Sequence, residues 1–164
     1  MGYNGMPVPR VYVETSIPSF CCASRTDAES VARKGWTQHW WDFKRQAYEV
    51  FTSEIVIEEL ERGEYPTKKD ALSLLESIPI LAVEPAISEI VRAYVRHFLM
   101  PARPLGDAMH LALASYHKCD FLLTWNCEHL ANANKFQHIR RVNSMLGLFI
   151  PSLVTPLELL GENP

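Results

Sequence analysis

Two polar residues, separated along the chain by a buried helix and a buried strand, are the first candidates for chemistry in this sequence. Asp107 follows Gly106 at a predicted helix start, and the run 108–114 after it is apolar almost all round, which is typical of a helix packed inside a protein. The run 121–124 predicts a short buried strand, and Asn126 stands just beyond it. In a parallel sheet, such a helix starts at the edge where such a strand ends. We therefore expect Asp107 and Asn126 to meet at that edge, where open α/β sheets bind ligands.

Two glutamates are predicted to reach the same edge from earlier parts of the chain. Glu14 ends the predicted strand 10–14, and Glu59 lies on the predicted helix 54–62 that follows the second strand. Each has a plainer interpretation, Glu14 as a strand-end acid pointing at solvent and Glu59 as part of a solvated acidic helix face. Glu58 and Glu59 point about 100° apart on a helix, so at most one of them faces the edge squarely.

Three carboxylates in one pocket repel one another and raise each other's pKa unless a cation compensates their charge. A hard divalent ion with oxygen ligands is the natural compensation, and Mg²⁺ is held by few carboxylates with several retained waters. Such an ion polarises a phosphodiester and lowers the pKa of the attacking water. Glu14, Glu59 and Asp107 carry a formal charge of −3 between them. They therefore predict one well-held metal ion and hydrolysis of a phosphate ester as its chemistry.

Several neighbouring side chains have two interpretations. His110 lies one helical turn beyond the acid at the helix start, where a hydrogen-bonded core histidine is favoured over a metal ligand. Glu128, two positions beyond the uncharged Asn126, either adds negative charge at the end of the strand or is a solvated loop acid, and the second is favoured. The role of His129 is undecided. Thr15 and Ser16 either hold a metal-bound water or a phosphate, or they cap the next helix.

Aromatic and basic side chains raise the question of nucleic-acid binding. Trp36, Trp40 and Trp41 are spaced i, i+4 and i+5 on a predicted helix, which favours a stripe facing the core, with a base-stacking platform as the alternative. Three arginines lie in or beside a stretch without acids, and they either guide phosphate to the site or pair with acids of neighbouring helices. They are Arg92, Arg96 and Arg103.

The order of the elements determines where these residues lie. Short apolar runs alternate with helical patterns along the chain, and this alternation implies an α/β fold in three layers, α/β/α, with a short, mostly parallel central sheet. The predicted strands are 10–14, 48–52, 78–83, 121–124 and 153–155. The predicted helices are 26–46 with Thr26 opening a capping box, 54–62, 67–77, 85–98, the helix from 106, and 139–146.

Composition limits the possible classes of protein. With 164 residues, 48% hydrophobic and 21% charged, the chain suits a single domain over 1–164. A run of about 18 apolar residues and a secretory signal are both missing, so we expect a cytoplasmic protein. The four cysteines form no Cys-x-x-Cys pair, which favours packed, reduced thiols over a zinc site or disulfides. The net charge of −3 argues against nonspecific binding of nucleic acid, although residues 90–157 hold 3 acids and 7 bases.

Four segments carry a resemblance to a known family. They are Val-Tyr-Val-Glu-Thr-Ser at 11–16, Ser-Glu-Ile-Val-Ile-Glu-Glu-Leu-Glu-Arg-Gly at 53–63, Gly-Asp-Ala-Met-His-Leu-Ala-Leu-Ala at 106–114 and Asp-Phe-Leu-Leu-Thr-Trp-Asn-Cys-Glu-His-Leu at 120–130. In this order they resemble the successive acidic motifs of PIN-domain proteins, and the VapC-type ribonuclease toxins of toxin–antitoxin systems are the most similar group. The resemblance spans almost the whole chain.

The resemblance implies a PIN-like fold and a nuclease that hydrolyses RNA with carboxylate-held Mg²⁺ or Mn²⁺, usually as a homodimer. It also implies a small antitoxin protein that covers the site. Matched by position, Glu14, Glu59, Asp107 and Asn126 stand at the four catalytic positions, and the first three would hold the metal. The first and fourth positions are typically aspartate in the family. Glu14 adds a methylene group there, and Asn126 keeps an oxygen but has no charge.

Two other functions are considered. Asn126 and the acidic total charge suggest a PIN-fold module with weak or no catalysis that binds RNA or a protein partner. A small-molecule phosphohydrolase of another α/β family is disfavoured, because such an enzyme needs an Asp-x-Asp nucleophile after the first strand. The segment 14–16, Glu-Thr-Ser, does not supply one.

Overall fold

The structure of the protein is a computed structural model, which describes residues 5–161. One five-stranded sheet with the order β3-β2-β1-β4-β5 forms its centre, and every neighbouring pair of strands is parallel. The predicted parallel sheet is therefore confirmed. The strands are β1 (Arg10–Val13), β2 (Glu49–Ser53), β3 (Ile80–Leu81), β4 (Phe121–Leu123) and β5 (Ser152–Val154).

Helices connect the strands, and the three-layer α/β/α fold is confirmed. The α-helices of the described residues are α1 (Ser16–Cys21), α2 (Ala28–His39), α3 (Glu54–Glu61), α4 (Lys68–Leu75), α5 (Pro85–Arg96), α6 (Gly106–Tyr116) and α7 (Phe136–Met145). A π-helical turn (Trp40–Lys44) and a 3₁₀ turn (Arg45–Ala47) extend α2, and a second 3₁₀ turn (Ala133–Lys135) leads into α7.

The central strand and α6 form the middle of the core. Val11, Tyr12 and Val13 of β1 are fully buried, as expected for a strand with neighbours on both sides and helices on both faces. In α6, residue 108 and residues 110–115 are buried, which explains why this helix is apolar almost all round. The prediction of a buried helix followed by a buried strand is confirmed.

The register of the sheet brings the strand ends together. Tyr12 is aligned with Phe51 of β2 on one side and with Leu122 of β4 on the other. Beyond the end of β1, the backbone N–H of Glu14 donates to the carbonyl oxygen of Leu123 at 3.3 Å. Side chains that follow β1, β2 and β4 therefore lie at one edge of the sheet.

Three predicted boundaries are wrong for identifiable reasons. The strand predicted over 78–83 has only two residues, because it lies at the edge of the sheet with one neighbour and Pro79 has no N–H to donate. Asp27, not Thr26, is the N-cap of α2, since its carboxylate accepts a hydrogen bond from Ser30 N at 3.0 Å. The last helix begins at Phe136 instead of 139, because the 3₁₀ turn before it runs directly into α7.

The cysteines differ in their burial, and the helices are too short or too polar to cross a membrane in the residues that the structure describes. All four cysteines are free. Cys21 and Cys119 are buried, as expected for packed thiols, whereas Cys127 is exposed and the packing interpretation is wrong for it. Within residues 5–161, no helix combines the length and the apolar character needed to cross a bilayer.

A buried polar network fixes α6 relative to its neighbours. Asn143 of α7 is fully buried, and its Oδ1 accepts a hydrogen bond from the Tyr94 hydroxyl of α5 at 2.7 Å. Its Nδ2 donates to Ser115 Oγ of α6 at 2.9 Å and to the carbonyl oxygen of Phe149 at 3.0 Å. One amide thus connects three helices and the loop that leads to β5.

Replacing this amide tests how strongly the network supports the fold. We expect Asn143→Ala to lower the free energy of unfolding by about 2–4 kcal/mol, because buried partners lose their hydrogen bonds. The measurement is urea unfolding followed by circular dichroism. Gln137→Ala, at an exposed position of the same helix, is the control and is expected to change stability by less than about 0.5 kcal/mol. Equal losses for the two variants would contradict the role given to Asn143.

Candidate active site

The end of β1 holds Glu14 in a buried position. Glu14 is 5% exposed, and its Oε1 accepts hydrogen bonds from the backbone N–H of Ser16 at 3.0 Å and from the Ser16 hydroxyl. Ser16 Oγ in turn accepts a hydrogen bond from the backbone N–H of Trp125 at 2.8 Å. The interpretation of Glu14 as a solvent-facing acid is therefore wrong. Ser16 connects the end of β1 to the end of β4.

Glu59 reaches the site from α3 and lies against the start of α6. Its Oε1 is 2.6 Å from His110 Nε2, and its side chain is 28% exposed. A methyl group in place of a hydrogen on the Gly106 Cα would lie 3.3 Å from Oε2 and 3.5 Å from Oε1 of Glu59. Glu58 is exposed. Of the two adjacent glutamates, Glu59 is thus the one that contacts α6.

His110 connects the site to the core through both ring nitrogens. Its Nδ1 lies 2.7 Å from the Tyr12 hydroxyl, which is also 2.8 Å from Ser53 Oγ, and its Nε2 contacts Glu59. His110 is 1% exposed. The prediction of a hydrogen-bonded core histidine is confirmed. The sequence did not indicate that its partner is a candidate metal ligand.

The three carboxylates and the histidine affect one another's ionisation. Burial raises the pKa of Glu14 above its usual range, although the charge of His110 and the Ser16 hydroxyl partly oppose this. Burial also acts to raise the pKa of Glu59, but the hydrogen bond and charge of His110 outweigh it and hold that pKa below its usual range. Burial alone would lower the pKa of His110, but Glu59, Glu14 and Asp107 raise it. His110 is therefore a shared countercharge for the acids.

Asp107 and Asn126 meet as predicted, across 19 positions of sequence. Asn126 Nδ2 donates to Asp107 Oδ1 at 3.0 Å. The carboxamide oxygen of Asn126 accepts from the backbone N–H groups of Glu128 at 3.2 Å and His129 at 3.0 Å, so both of its lone pairs are used. In this arrangement Asn126 orients Asp107 and caps the turn after β4. It does not present an oxygen to a metal.

An open cleft gives access to two of the acids. It has a volume of about 220 Å³, and its lining includes the acids Glu58, Glu59 and Asp107 together with Arg62, Leu105 and Met109. The charge of Arg62 also acts to lower the pKa of Glu59. The cleft thus joins three carboxylates to an apolar wall and one cation.

A second cation near the acids was missed by the sequence analysis. Lys135 is partly buried, and burial lowers its pKa, whereas the charges of Asp107 and Glu128 act in the opposite direction. Its only signal in the sequence is that it is the single basic residue of the predicted polar loop 131–137. Glu128 has an 83% exposed side chain at 3.5 Å from His129, which confirms the solvated-acid interpretation.

The remaining candidates for nucleic-acid contact divide into two groups. Trp40 and Trp41 are buried and face the core, whereas Trp36 is 36% exposed, so the predicted core stripe is wrong for Trp36. Arg92 pairs with Glu89 on its own helix and not with a neighbouring helix. The other two arginines of this set, Arg96 and Arg103, are exposed.

The donor atoms fit one hydrated, hard divalent ion. Within residues 5–161, no three His, Cys, Asp or Glu side chains are already arranged as a metal centre. The hydrogen bonds described above use Oε1 of Glu59 and Oδ1 of Asp107, which leaves the second oxygen of each for an ion. The Thr15 hydroxyl is buried beside Glu59 and acts to lower the pKa of that carboxyl. Mg²⁺ is typically bound in this way, by one or two carboxylates and several waters.

Comparison with known proteins identifies one family. The family model described as PIN domain matches residues 12–133, which include Glu14, Glu59, Asp107 and Asn126. No curated protein matches the chain.

The contact between Gly106 and Glu59 can be tested without disturbing the fold. We expect Gly106→Ala to displace the Glu59 carboxylate by a few tenths of an ångström and to lower the pKa of His110, because its hydrogen-bonded partner moves away. The free energy of unfolding should change by less than about 1 kcal/mol, since alanine is tolerated in helices. The pKa is measured by NMR titration of the imidazole. Gly35→Ala on α2, where a methyl group meets no atom within 4 Å, should leave the pKa unchanged. An unchanged His110 pKa in Gly106→Ala would contradict the contact.

The pair of Glu59 and His110 predicts a stability difference that depends on pH. The lowered pKa of Glu59 stabilises the fold above its unfolded pKa of about 4.3, and this is lost as pH falls through the folded value. The raised pKa of His110 stabilises the fold below its unfolded pKa of about 6.5, and this is lost as pH rises through the folded value. Glu59→Gln should therefore cost most at about pH 5–6.

The measurement is chemical unfolding of both proteins in chelator across pH 4 to 9. Glu58→Gln, at the exposed neighbouring position, is the matched control. A cost of Glu59→Gln that is constant over this range would show that the two groups do not share a proton-linked interaction.

Proposed function

This chain belongs to the PIN-domain family, whose members are generally nucleases, and on that premise we propose that it is a metal-dependent endoribonuclease of the VapC toxin type. The observation that carries the proposal is the convergence of Glu14, Glu59 and Asp107 at the carboxyl edge of a parallel sheet. Ligands of open α/β sheets bind at this edge.

The proposed cofactor is Mg²⁺ or Mn²⁺. When bound, such an ion polarises a phosphodiester and lowers the pKa of the attacking water. Glu59 and Asp107 offer oxygen ligands in the open cleft, and Glu14 adds negative charge behind them. His110 holds Glu59 in position, and Asn126 holds Asp107. Each proposed ligand is thus fixed by a hydrogen bond from a residue of another element.

The charge balance of the site supports a requirement for metal. Three carboxylates share one histidine as a countercharge, so a bound cation would reduce their repulsion of one another and of a phosphodiester. Arg62 in the cleft lining and Lys135 near Asp107 supply positive charge that attracts phosphate groups. An ion at the centre and cations around it together suit an anionic polymer such as RNA.

We extend the proposal to two protein partners, a small antitoxin and a second copy of the chain. Both rest on the resemblance of the acidic motifs to VapC-type toxins. The apolar wall and the three carboxylates of the cleft suit an antitoxin segment that carries apolar and basic side chains.

A PIN-fold module that binds without catalysis is the second candidate, and one observation favours it. The side-chain oxygen of Asn126 accepts hydrogen bonds from two backbone N–H groups, so the fourth catalytic position supplies neither charge nor a free oxygen. Calorimetric titration with Mn²⁺ separates the two candidates. The nuclease shows saturable binding of about one ion, and the inactive module shows none.

The central test is hydrolysis of structured RNA with and without chelator. We expect cleavage in Mg²⁺ or Mn²⁺, loss of cleavage in EDTA, and a fall of about a hundredfold or more in Asp107→Asn, because the amide removes one negative charge from a ligand. Glu61→Gln changes an exposed acid on the helix that carries Glu59, outside the lining of the cleft, and should retain full activity. Cleavage that survives both chelator and Asp107→Asn would overturn the proposal.

A further inference from the structure

We propose that the exposed ring of Trp36 is a stacking site for an unpaired base of RNA, beside the acidic site. The inference rests on the proposed function only for the kind of ligand, a nucleic acid. It assigns to Trp36 a role in positioning substrate that does not depend on a metal ion.

The three tryptophans of this part of the chain have different surroundings. Trp40 and Trp41 are 0% and 6% exposed and pack in the core, whereas Trp36 is 36% exposed. The ring of Trp36 lies nearly parallel to that of Trp125, at an interplanar angle of 29° and a centroid distance of 6.0 Å. This is the offset stacking that aromatic pairs prefer. One face of Trp36 is thus supported by Trp125, and an unpaired base placed on its exposed side extends the stack.

The supporting ring is held rigidly. Trp125 is 6% exposed, its Nε1 donates to Thr37 Oγ1 at 2.7 Å, and its backbone N–H donates to Ser16 Oγ. The ring of Phe20 meets Trp125 edge-on at 6.2 Å. A base that stacks on Trp36 therefore contacts a surface whose second layer is already ordered, which reduces the entropy lost on binding.

Trp125 also connects this stack to the acids. The backbone N–H of Trp125 donates to Ser16, and Ser16 donates to Glu14. Trp125 also directly precedes Asn126, whose side chain donates to Asp107. The first connection runs through two hydrogen bonds, and the second runs through the peptide bond to Asn126 and one hydrogen bond. A base stacked on Trp36 therefore lies on a ring whose partner, Trp125, is linked to the residues that hold Glu14 and Asp107.

The charge around the stack suits a nucleic acid better than an uncharged apolar partner. The guanidinium of Arg33 lies 5.2 Å from the centre of the Trp125 ring and 5.4 Å from that of Phe20. It pairs with Glu29 at 2.7 Å, and its side chain is 24% exposed. Residues 25–36 have a net charge of +1. The cations are Arg25, Arg33 and Lys34, and the acids are Asp27 and Glu29.

This arrangement matches the way in which proteins bind single strands. Such sites combine cations that follow the backbone with aromatic rings on which bases stack, and stacking tolerates any base because every base has a π face. A base within a duplex is already stacked and is not free to bind in this way. The proposed site therefore distinguishes unpaired from paired RNA.

The experiment measures binding of a labelled single-stranded RNA of mixed sequence, in EDTA and at low salt, to the full chain. We expect Trp36→Ala to weaken binding about tenfold, and Trp36→Phe to stay close to the wild type because a ring remains. Phe43→Ala removes another exposed aromatic ring, 64% exposed, from the turn that follows the same helix and is expected to have no effect. The wild type should show quenching of tryptophan fluorescence on binding that Trp36→Phe lacks. Thermal unfolding of each variant establishes that it is folded.

The outcomes separate this inference from the proposed function. Equal binding by the wild type and Trp36→Ala overturns it, and so does an equal loss for single-stranded RNA and for a duplex of the same sequence. A change of oligomeric state in Trp36→Ala with unchanged RNA binding also overturns it, since the ring then contacts protein. Loss of binding in Trp36→Ala together with no cleavage by the wild type supports the stacking site and refutes the nuclease. Metal-dependent cleavage with an unchanged KM in Trp36→Ala supports the nuclease and refutes the stacking site.

Discussion

Mutual repulsion of carboxylates is the constraint on which the site depends. A parallel sheet brings Glu14, Glu59 and Asp107 to one edge because strand ends and helix starts meet there. Without compensation, burial would favour their protonated forms. His110 supplies part of the compensation: it is buried beneath the acids, bonded to Glu59 on one side and to Tyr12 on the other. The metal-free fold can therefore keep Glu59 ionised, whereas Glu14, which lies deeper, has a raised pKa.

The fourth position extends the same electrostatic argument. An aspartate at 126 would place another negative charge 3.0 Å from Asp107, which asparagine avoids while donating a hydrogen bond. The cost is that the Asn126 oxygen is committed to the backbone of Glu128 and His129. The site gains order in the absence of metal and loses one potential ligand. This combination is consistent with a single hydrated ion and argues against a closely spaced pair.

The sequence predicts most of the fold and the meeting of Asp107 with Asn126, because both depend on local patterns: a buried run, a helix start and a strand end. It does not predict contacts between distant elements. The pair of Glu59 and His110 spans 51 positions, and only the packing of α3 against α6 selects Glu59 over Glu58. Lys135 was missed for the same reason, because the 3₁₀ turn that carries it toward Asp107 has no distinctive pattern. Trp36 and Trp40 share a helix face, yet Trp36 packs on Trp125 near the sheet edge and not in the core.

The position of Trp125 connects the acidic and the aromatic parts of the surface. A cluster of carboxylates alone repels RNA, so affinity for RNA has to come from the groups around the cluster. The backbone of Trp125 is bound to Ser16, which also holds Glu14, and its ring supports Trp36 and lies beneath Arg33. Any shift of the β4 end therefore moves the stack and the acids together. Because one residue contacts both, Trp125 couples the position of the Trp36 ring to the position of the residues that hold Glu14 and Asp107.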